Sequence, residues 1–497
     1  MKCLQINPAD NVAVAISALQ AGEVLRVAGK ALTVLENIPA GNKVALSDIS
    51  HGDNVVKYGF PIGHAVSDIK YGSLVNDLNI KTNLSGLLDY KYSPVQCVLA
   101  DAALRLPARS FMGYKRAGGG VGIRNEIWIV PTVGCVSGVA DELACRLREE
   151  TRCDGIDAVV SFPHSYGCSQ LGDDHENTRK ILRDIILHPN AGAVLVVGLG
   201  CENNQPAALR EMLGDYDHER IRFLVAQETQ DEISDGMNML REMYRIARCD
   251  VRTELPLHEL KIGLKCGGSD GLSGITANPL LGVFSDYIVA HGGTSVLTEV
   301  PEMFGAETLL MNRCKDEETF RKTVSLINDF KQFFIHNGQP IYENPSPGNK
   351  AGGISTLEEK SLGCTQKAGG GQVQDVLAYG GRLVSRGLNL LSAPGSDVVA
   401  ATALAAAGCH MVLFSTGRGT PFGTLVPTVK VSTNSALSRN KPRWIDFNAG
   451  SLVEGEAMES VAERFVSYVL AVASGESVAN ERNGYRDIAI FKTGVTL

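Results

Sequence analysis

Three cysteines, Cys135, Cys168 and Cys201, stand 33 residues apart, and each closes a Gly-Cys pair. Each pair follows an apolar run, at residues 127–133, 158–162 and 193–197. The runs are short and rich in Val, Ile and Phe, the composition of buried strands. Helix-period residues follow each cysteine: Val139, Leu143 and Leu147, then Ile181, Leu182, Ile185 and Ile186, then Leu209, Met212 and Leu213 behind Pro206. Strand, Gly-Cys, helix, repeated, predicts βαβ units with parallel strands whose carboxyl ends share one edge. The thiols then converge beside helix N-termini, which favour thiolate. Glycine before each cysteine lets the backbone approach a ligand closely. A single such cysteine reads as strand-end packing. Three in register read as a metal or cluster site with an open coordination position.

The elements that position these residues must come from a chain of 497 residues, long enough for two to four domains. Apolar residues make up 44% and charged residues 21%, an ordinary balance for a globular enzyme. A net charge of −8 with no basic block argues against nucleic acid as a partner. The N-terminus has no apolar signal core and no run approaches membrane-spanning length, so no membrane association is expected. Twelve cysteines without secretory features predict reduced thiols in a cytoplasmic protein.

Residues 1–90 read as a small β-rich unit. A short helix capped by Asp10 and carrying Val12, Val14, Ile16 and Leu19 is expected first, then brief strands at 23–27, 31–35, 43–45, 54–58 and 62–65 separated by glycine turns. Residues 91–110 read as an extended linker. A first α/β domain spans 111–252. Its Gly118–Gly122 turn precedes a strand, the reverse of the dinucleotide fingerprint, so NAD binding is rejected; Arg124 and Asn125 remain anion contacts. A second α/β domain spans 253–497. There a strand at 261–265 runs into Cys266-Gly267-Gly268-Ser269-Asp270-Gly271-Leu272-Ser273-Gly274, a backbone nest suited to a carboxylate or hydroxyls. A strand at 296–300 delivers Glu299 and Glu302, and a proline-fixed polar loop fills 344–350. Arg418, between two glycines after a strand at 411–415, suits a bidentate grip on a carboxylate.

These stretches resemble the altronate and galactarate dehydratase family of sugar-acid degradation. The resemblance spans essentially the whole chain. It is carried by residues 57–63, Tyr166-Gly167-Cys168-Ser169-Gln170-Leu171-Gly172-Asp173-Asp174-His175, and residues 198–203, 266–279, 344–353, 416–421 and 491–497. Residues 169–175 and Cys364-Thr365-Gln366-Lys367 look like the altronate branch. The resemblance implies a β-clip (SAF-like) N-terminal domain and a Rossmann-like, three-layer α/β catalytic region in two parts. It also implies an iron-dependent dehydratase, a homodimer, and conversion of D-altronate to 2-dehydro-3-deoxy-D-gluconate. Thiolates select Fe–S clusters, zinc or copper(I) over hard ions; with the family's iron, Cys135, Cys168 and Cys201 become ligands of Fe2+ or of a [4Fe–4S] cluster, and Cys266 the fourth candidate. His164 and Glu202 are the expected acid and base, with His175 as a further candidate and second-shell orientation as the other role. Arg418 and Lys350 are expected on the substrate carboxylate, and Ser269, Asp270 and Asn278 on its hydroxyls. Dehydration of another acid such as galactarate, or a non-catalytic iron–sulfur or sugar-acid binding protein, are the alternatives.

Overall fold

The computed structural model describes residues 2–497. The chain opens with strands β1 (Cys3–Leu4), β2 (Val12–Ala15), β3 (Val24–Val27), β4 (Lys30–Thr33), β5 (Lys43–Ala45), β6 (Asn54–Lys57), β7 (Phe60–Ala65), β8 (Leu74–Val75) and β9 (Ile80–Lys81). They form three small antiparallel sheets, ordered β1-β2-β5-β8, β3-β4 and β6-β7-β9. The helix expected after Asp10 is instead β2, and its Val-Ala-Val-Ala is buried throughout between β1 and β5. Tertiary pairing overrides a local pattern that fits either period. Asp10 does not cap a helix; its carboxylate accepts from the backbone N–H groups of Asn7 and Gly59, at 2.9 and 2.7 Å. Two hairpins turn on a residue pair with both φ positive, Ala28-Gly29 and Tyr58-Gly59, the geometry that matches strand twist.

The linker is strapped to the last domain. It carries one turn of helix, α1 (Asp101–Leu104), and the Ala100 N–H donates to Asp286 at 2.9 Å. A three-stranded ribbon, β10 (Ser110–Lys115), β11 (Val121–Gly122) and, much later in the chain, β16 (Thr253–Pro256), ties the two α/β domains together.

The first α/β domain runs β12 (Glu126–Pro131), α2 (Ser137–Thr151), β13 (Ala158–Ser161), α3 (Gly172–Ile186), β14 (Ala191–Gly198), α4 (Pro206–Leu213), β15 (Ile221–Val225) and α5 (Glu232–Ala247). Its sheet is parallel in the order β13-β12-β14-β15. Alternation decides the faces of β12: Ile127 and Ile129 pack under α2 and α5, and Trp128 and Val130 under α3.

The second α/β domain begins after β16 with β17 (Lys261–Cys266), α6 (Ala277–Ala290), β18 (Thr294–Leu297), α7 (Glu307–Met311), α8 (Glu317–His336), α9 (Pro347–Ala351) and α10 (Leu357–Thr365). It continues through β19 (Val373–Leu377), β20 (Gly387–Leu391), α11 (Asp397–Ala406), β21 (Met411–Thr416), β22 (Thr428–Ser432), α12 (Ser435–Asn440), β23 (Phe447–Asn448), α13 (Met458–Ala473) and α14 (Ala479–Asn483). Seven parallel strands stand in the order β19-β20-β18-β17-β21-β22-β23. Helices α6 and α13 cover one face and α11 the other, giving three layers. The residues read as a rigid loop at 344–350 end in α9, capped by the Ser346 side chain. Among the described residues, no helix is long and apolar enough to cross a membrane.

Strand order fixes where a ligand belongs. The chain runs from β17 to β18 and out to the edge strand β19, returns to place β20 between β18 and β19, then crosses to β21 on the other side of β17, so the switch point lies between β17 and β21. The loops leaving those strands are the glycine nest at 266–274 and Thr416-Gly417-Arg418. The two sheets also share an orientation. Just beyond α3 and α11, His188 bonds the Cys409 carbonyl at 3.2 Å and Asn190 donates to the His410 carbonyl at 2.9 Å. The two packed helices therefore run the same way, and both sheets turn their carboxyl edges toward one side of the molecule.

Candidate active site

At the carboxyl edge of the first sheet, the three Gly-Cys loops are laced to one another. The Gly134 N–H donates to the Tyr166 carbonyl at 2.9 Å, the Asn204 N–H to the Gly167 carbonyl at 2.9 Å, and the Ser169 N–H to Asn203 Oδ1 at 2.8 Å. Gly134 and Gly167 have no space for a side chain: a Cβ would meet the His164 carbonyl or the Thr132 carbonyl. All three thiols are exposed, and Gln227 Nε2 stands 3.5 Å from Cys201 Sγ. The three sulfurs do not all lie within 4.8 Å of one another, the separation at which donors share a single ion; Cys266, Glu302 and Cys364 do.

His164 and Glu202 organise these loops. The buried His164 has both ring nitrogens engaged, Nε2 with the Pro131 carbonyl at 2.7 Å and Nδ1 with the Tyr166 N–H at 3.1 Å, and burial lowers its pKa. The neutral ring therefore pins two loops together. Glu202 accepts from Thr132 Oγ1 at 2.5 Å, from the Leu199 N–H at 3.0 Å and from the Gly200 N–H at 2.6 Å. Asp174 anchors the C-terminal segment through the Thr493 and Gly494 N–H groups at 2.8 and 2.7 Å. His175 beside it keeps an Nε2 that is buried without a hydrogen-bond partner.

The second centre lies at the switch point. Cys266, at the end of β17, meets Cys364 of α10 with the sulfurs 3.2 Å apart. Glu302 reaches both, at 3.4 and 3.1 Å, and pairs with Lys360 at 2.9 Å. Lys367 donates to Cys266 Sγ and to Glu299, both at 2.8 Å. Lys265 pairs with Glu299 and, at 2.9 Å, with Asp397 at the start of α11. Every one of these groups except Asp397 is buried. Burial alone would raise the Glu302 carboxyl, yet Lys360, Lys265 and Lys367 hold it down to about 2. Burial also opposes the charge on Lys367, and Cys266, Glu299 and their neighbours overcome it and hold the ammonium well above its usual range. The hydrogen bond with Cys266, together with burial, pushes the Cys364 thiol well up.

Beside this network is a cavity with room for about one water, walled by Ser269, Asp270, Asn278, Lys360 and Cys364, and by Tyr58 of the N-terminal domain. Asn278 is fixed, donating to the Gly363 carbonyl at 3.0 Å and accepting from Ser415 Oγ at 2.5 Å. Burial raises the Asp270 carboxyl although Thr433, Ser273 and Asn434 donate to it. A larger cavity of about 370 Å³ lies at the opposite, amino edges of the two sheets, lined by Arg116, His188, Lys261 and His410. Strand polarity puts the chemistry on the other side.

Three residues expected on substrate stand elsewhere, and a fourth, Arg418, stands at the rim. Arg124 is buried at the amino end of β12, its guanidinium taken by Glu481 at 2.7 and 2.8 Å and by the Val472 carbonyl at 2.8 Å. Asn125 donates to the Ala247 carbonyl at 2.7 Å and accepts from Arg116 at 3.0 Å. Both lie at the edge remote from the loops, because the residues before a parallel strand cannot share the edge that follows it. Lys350 is exposed and faces a surface groove with Pro39, Asn76 and Asp77. Arg418 is exposed on the rim of the switch point, donating to the Gly348 carbonyl at 3.2 Å. Sequence reasoning missed Lys265, Lys360, Lys367 and the partnership of Cys364. Lys360 and Cys364 sit on α10, which the structure buries at every position although it carries Glu358, Glu359, Lys360 and Ser361; Lys265 is on β17 and Lys367 follows α10.

The two donor sets differ in their fitness for iron. Of the set Cys266, Glu302 and Cys364, the first two already receive ammonium groups at 2.8 and 2.9 Å, and those cations oppose a metal ion. Cys266 also belongs to the other domain and does not join the three loop cysteines. Cys135, Cys168 and Cys201 fit better: three soft donors on backbone already held in place, open to solvent, and spaced more widely than one ion requires.

A switch-point chamber of paired lysines and carboxylates, beside a row of thiols on a parallel sheet, defines an α/β enzyme for a small polar acid. Comparison with known proteins makes this specific. Residues 1–83 match the altronate/galactarate dehydratase SAF domain. Residues 113–248 match the second domain of D-galactarate dehydratase/altronate hydrolase, and residues 257–496 the C-terminal domain of D-galactarate/altronate dehydratase. The chain is 58% identical to the altronate dehydratase of Escherichia coli (strain K12), over all of both chains. It is 56% identical to that of Bacillus subtilis (strain 168), over 99% of each. Identity to the galactarate dehydratase (L-threo-forming) of Escherichia coli (strain K12) is 32%, over 98% of this chain and 96% of that one. The chain belongs to the altronate/galactarate dehydratase family.

Proposed function

We propose that the protein is an altronate dehydratase, converting D-altronate to 2-dehydro-3-deoxy-D-gluconate and water in hexuronate breakdown in the cytoplasm, and working as a homodimer. The observation that carries the substrate is the full-length identity of 58% and 56% to altronate dehydratases, against 32% to a galactarate dehydratase. The segment Cys364-Thr365-Gln366-Lys367 also contributes two groups to the chamber.

Elimination needs a base for the C2 proton, stabilisation of the charge that then spreads onto the carboxylate, and help for the departing C3 hydroxyl. Asp270 is the base in this reading. It walls the cavity, and burial raises its carboxyl against the donors around it, so that it holds a proton more readily than an exposed aspartate. Lys360 faces the same cavity and is held charged by Glu302, so it balances the negative charge that grows on the substrate carboxylate. Ser269 and Asn278 orient hydroxyls. Lys367 and Lys265 both pair with Glu299 and order the network behind the cavity. Iron held by Cys135, Cys168 and Cys201 supplies a Lewis acid for the hydroxyl when bound.

The test is anaerobic purification with iron, acid-labile sulfide and turnover of a sugar-acid panel measured together. Ketoacid from altronate but not galactarate, with about four irons and four sulfides per chain, is the expected result. About one iron without sulfide would replace the cluster by a mononuclear ion. Preference for galactarate would overturn the substrate, and full activity without iron would remove the thiol site from the mechanism.

A further inference from the structure

The N-terminal domain enters the chamber through one hairpin. Strands β6 and β7 turn on Tyr58-Gly59, the paired positive φ of a tight hairpin, and the turn sets the Tyr58 side chain against Gly274 and Gly363. The surroundings are specific. Lys57, next in the chain, is buried and donates to Glu359 of α10 at 2.7 Å, while Lys43 of β5 reaches the other oxygen of the same carboxylate at 2.9 Å. The Lys57 ammonium also lies 4.7 Å from the centre of the Tyr58 ring. The phenol oxygen is seated between Gly274 of the nest and Gly363 of α10. A Cβ at Gly274 would strike that oxygen, and would stand 2.8 Å from the Gly363 Cα. Two glycines thus make a slot for one hydroxyl, in the wall that Ser269, Asp270, Asn278, Lys360 and Cys364 complete.

We propose that Tyr58 is a substrate-binding residue, a hydroxyl donor to a polyhydroxy carboxylate, lent to the catalytic domain by the N-terminal domain. The proposal rests on the assignment of this chamber as the substrate site. A phenylalanine would keep the ring's packing against Lys57; what the tyrosine adds is a polar tip at the cavity, within reach of the Lys57 ammonium, and a site built to bond substrate hydroxyls gains affinity and selectivity from such a group. The cavity has room for about one water, so a six-carbon acid enters only as the hairpin and α10 part. Binding at the chamber and motion of the hairpin are then coupled.

The experiment uses the full-length iron-loaded enzyme and Tyr58→Phe. The expected result is an unchanged melting temperature, a KM for altronate raised roughly five- to tenfold by the lost hydrogen bond, and kcat within about threefold of the parent. A KM equal to the parent's overturns the proposal. Hydrogen exchange of residues 54–65 in the unmodified protein, with and without saturating altronate, gives an answer that needs no variant: slowed exchange supports substrate contact, and identical exchange overturns it. Failure of the substrate assignment has a separate signature, since the parent enzyme would then fail on altronate. In that case the same exchange measurement is made with the acid that is turned over, and an unchanged hairpin overturns the proposal there too.

Discussion

Replacing Cys168 with serine separates the metal from the fold. The loop that carries it is held by the Asn204 N–H, which donates to the Gly167 carbonyl, and by Asn203 Oδ1, which accepts from the Ser169 N–H, and its thiol is exposed. We expect Cys168→Ser to change stability by no more than about 0.5 kcal/mol, while bound iron and activity both fall below a tenth of the parent's. Iron retained at the parent level would remove this thiol as a ligand. The cysteine trio was legible in the sequence because βαβ geometry places every post-strand residue on one edge, so a spacing along the chain becomes a neighbourhood in space. The chamber was not legible in the same way. Cys266 and Glu302 follow strands and were singled out, but Lys360, Cys364 and Lys367 arrive on a helix about a hundred residues later, and no periodicity announces a convergence of that kind. His164 and Glu202 carried the right residue types in the right place. Their ring nitrogens and oxygens are spent on the Pro131 carbonyl, the Tyr166 N–H and the Gly200 turn, which only a structure reveals.

At the scale of elements, the joint between the N-terminal domain and α10 rests on one carboxylate. Burial would raise the Glu359 carboxyl, but Lys43 and Lys57 hold it down to about 2. Lys43 further donates to the Gly353 carbonyl at 2.9 Å and to Ser355 Oγ at 2.8 Å, so the joint is a hydrogen-bonded network rather than a bare ion pair. Glu359→Gln leaves two buried ammonium groups without a counter-charge, a change that costs about 3–5 kcal/mol. The expected outcome is a lower melting temperature, faster proteolytic cleavage in the segment 84–100, and reduced activity, since the same joint seats Tyr58. Unaltered cleavage with an unaltered melting temperature would show that the other contacts of the joint hold the domain, namely Thr82 and Asn83 donating to Glu358, Thr356 donating to the Ile62 carbonyl, and Ile62 packing with Leu362. The strands of this domain were readable from their glycine punctuation, and the hairpin partners fell near the expected residues. The stretch after Asp10 was misread because Val12 and Val14 fit a strand and, with Ile16 and Leu19, also suggest a helix; pairing with β1 and β5 decides it.

For the whole molecule, acid should act first where the two α/β domains meet. His188 lies in that junction, stacked on Trp128 at 5.3 Å, and burial lowers its pKa to about 3. His410 beside it is lowered well below 6.5 for the same reason, with Lys261 adding to the effect. Both are therefore neutral in the folded protein, whereas in the unfolded chain they accept protons as the pH falls through about 6.5. The unfolded state binds more protons below that value, so their contribution is complete above pH 6.5 and is lost progressively on acidification, until about pH 3 for His188. Each can remove up to about 1.4 kcal/mol per pH unit. Glu359 and Glu302, with pKa values held at about 2, act in a lower window, between about pH 4.5 and 2. Between pH 6.5 and 4.5 the buried histidines, His164 among them, lower stability on acidification, while carboxyls that burial raises, Asp184 to about 6 and Asp270, act in the opposite sense. The urea midpoint should therefore fall between pH 7.5 and 5.5 in the parent, and the fall should be smaller in His188→Gln, whose side chain can still donate toward the Cys409 carbonyl but takes up no proton. An identical fall in parent and variant would show that His188 is not the group that takes up the proton on unfolding, and would move the acid sensitivity away from the domain junction.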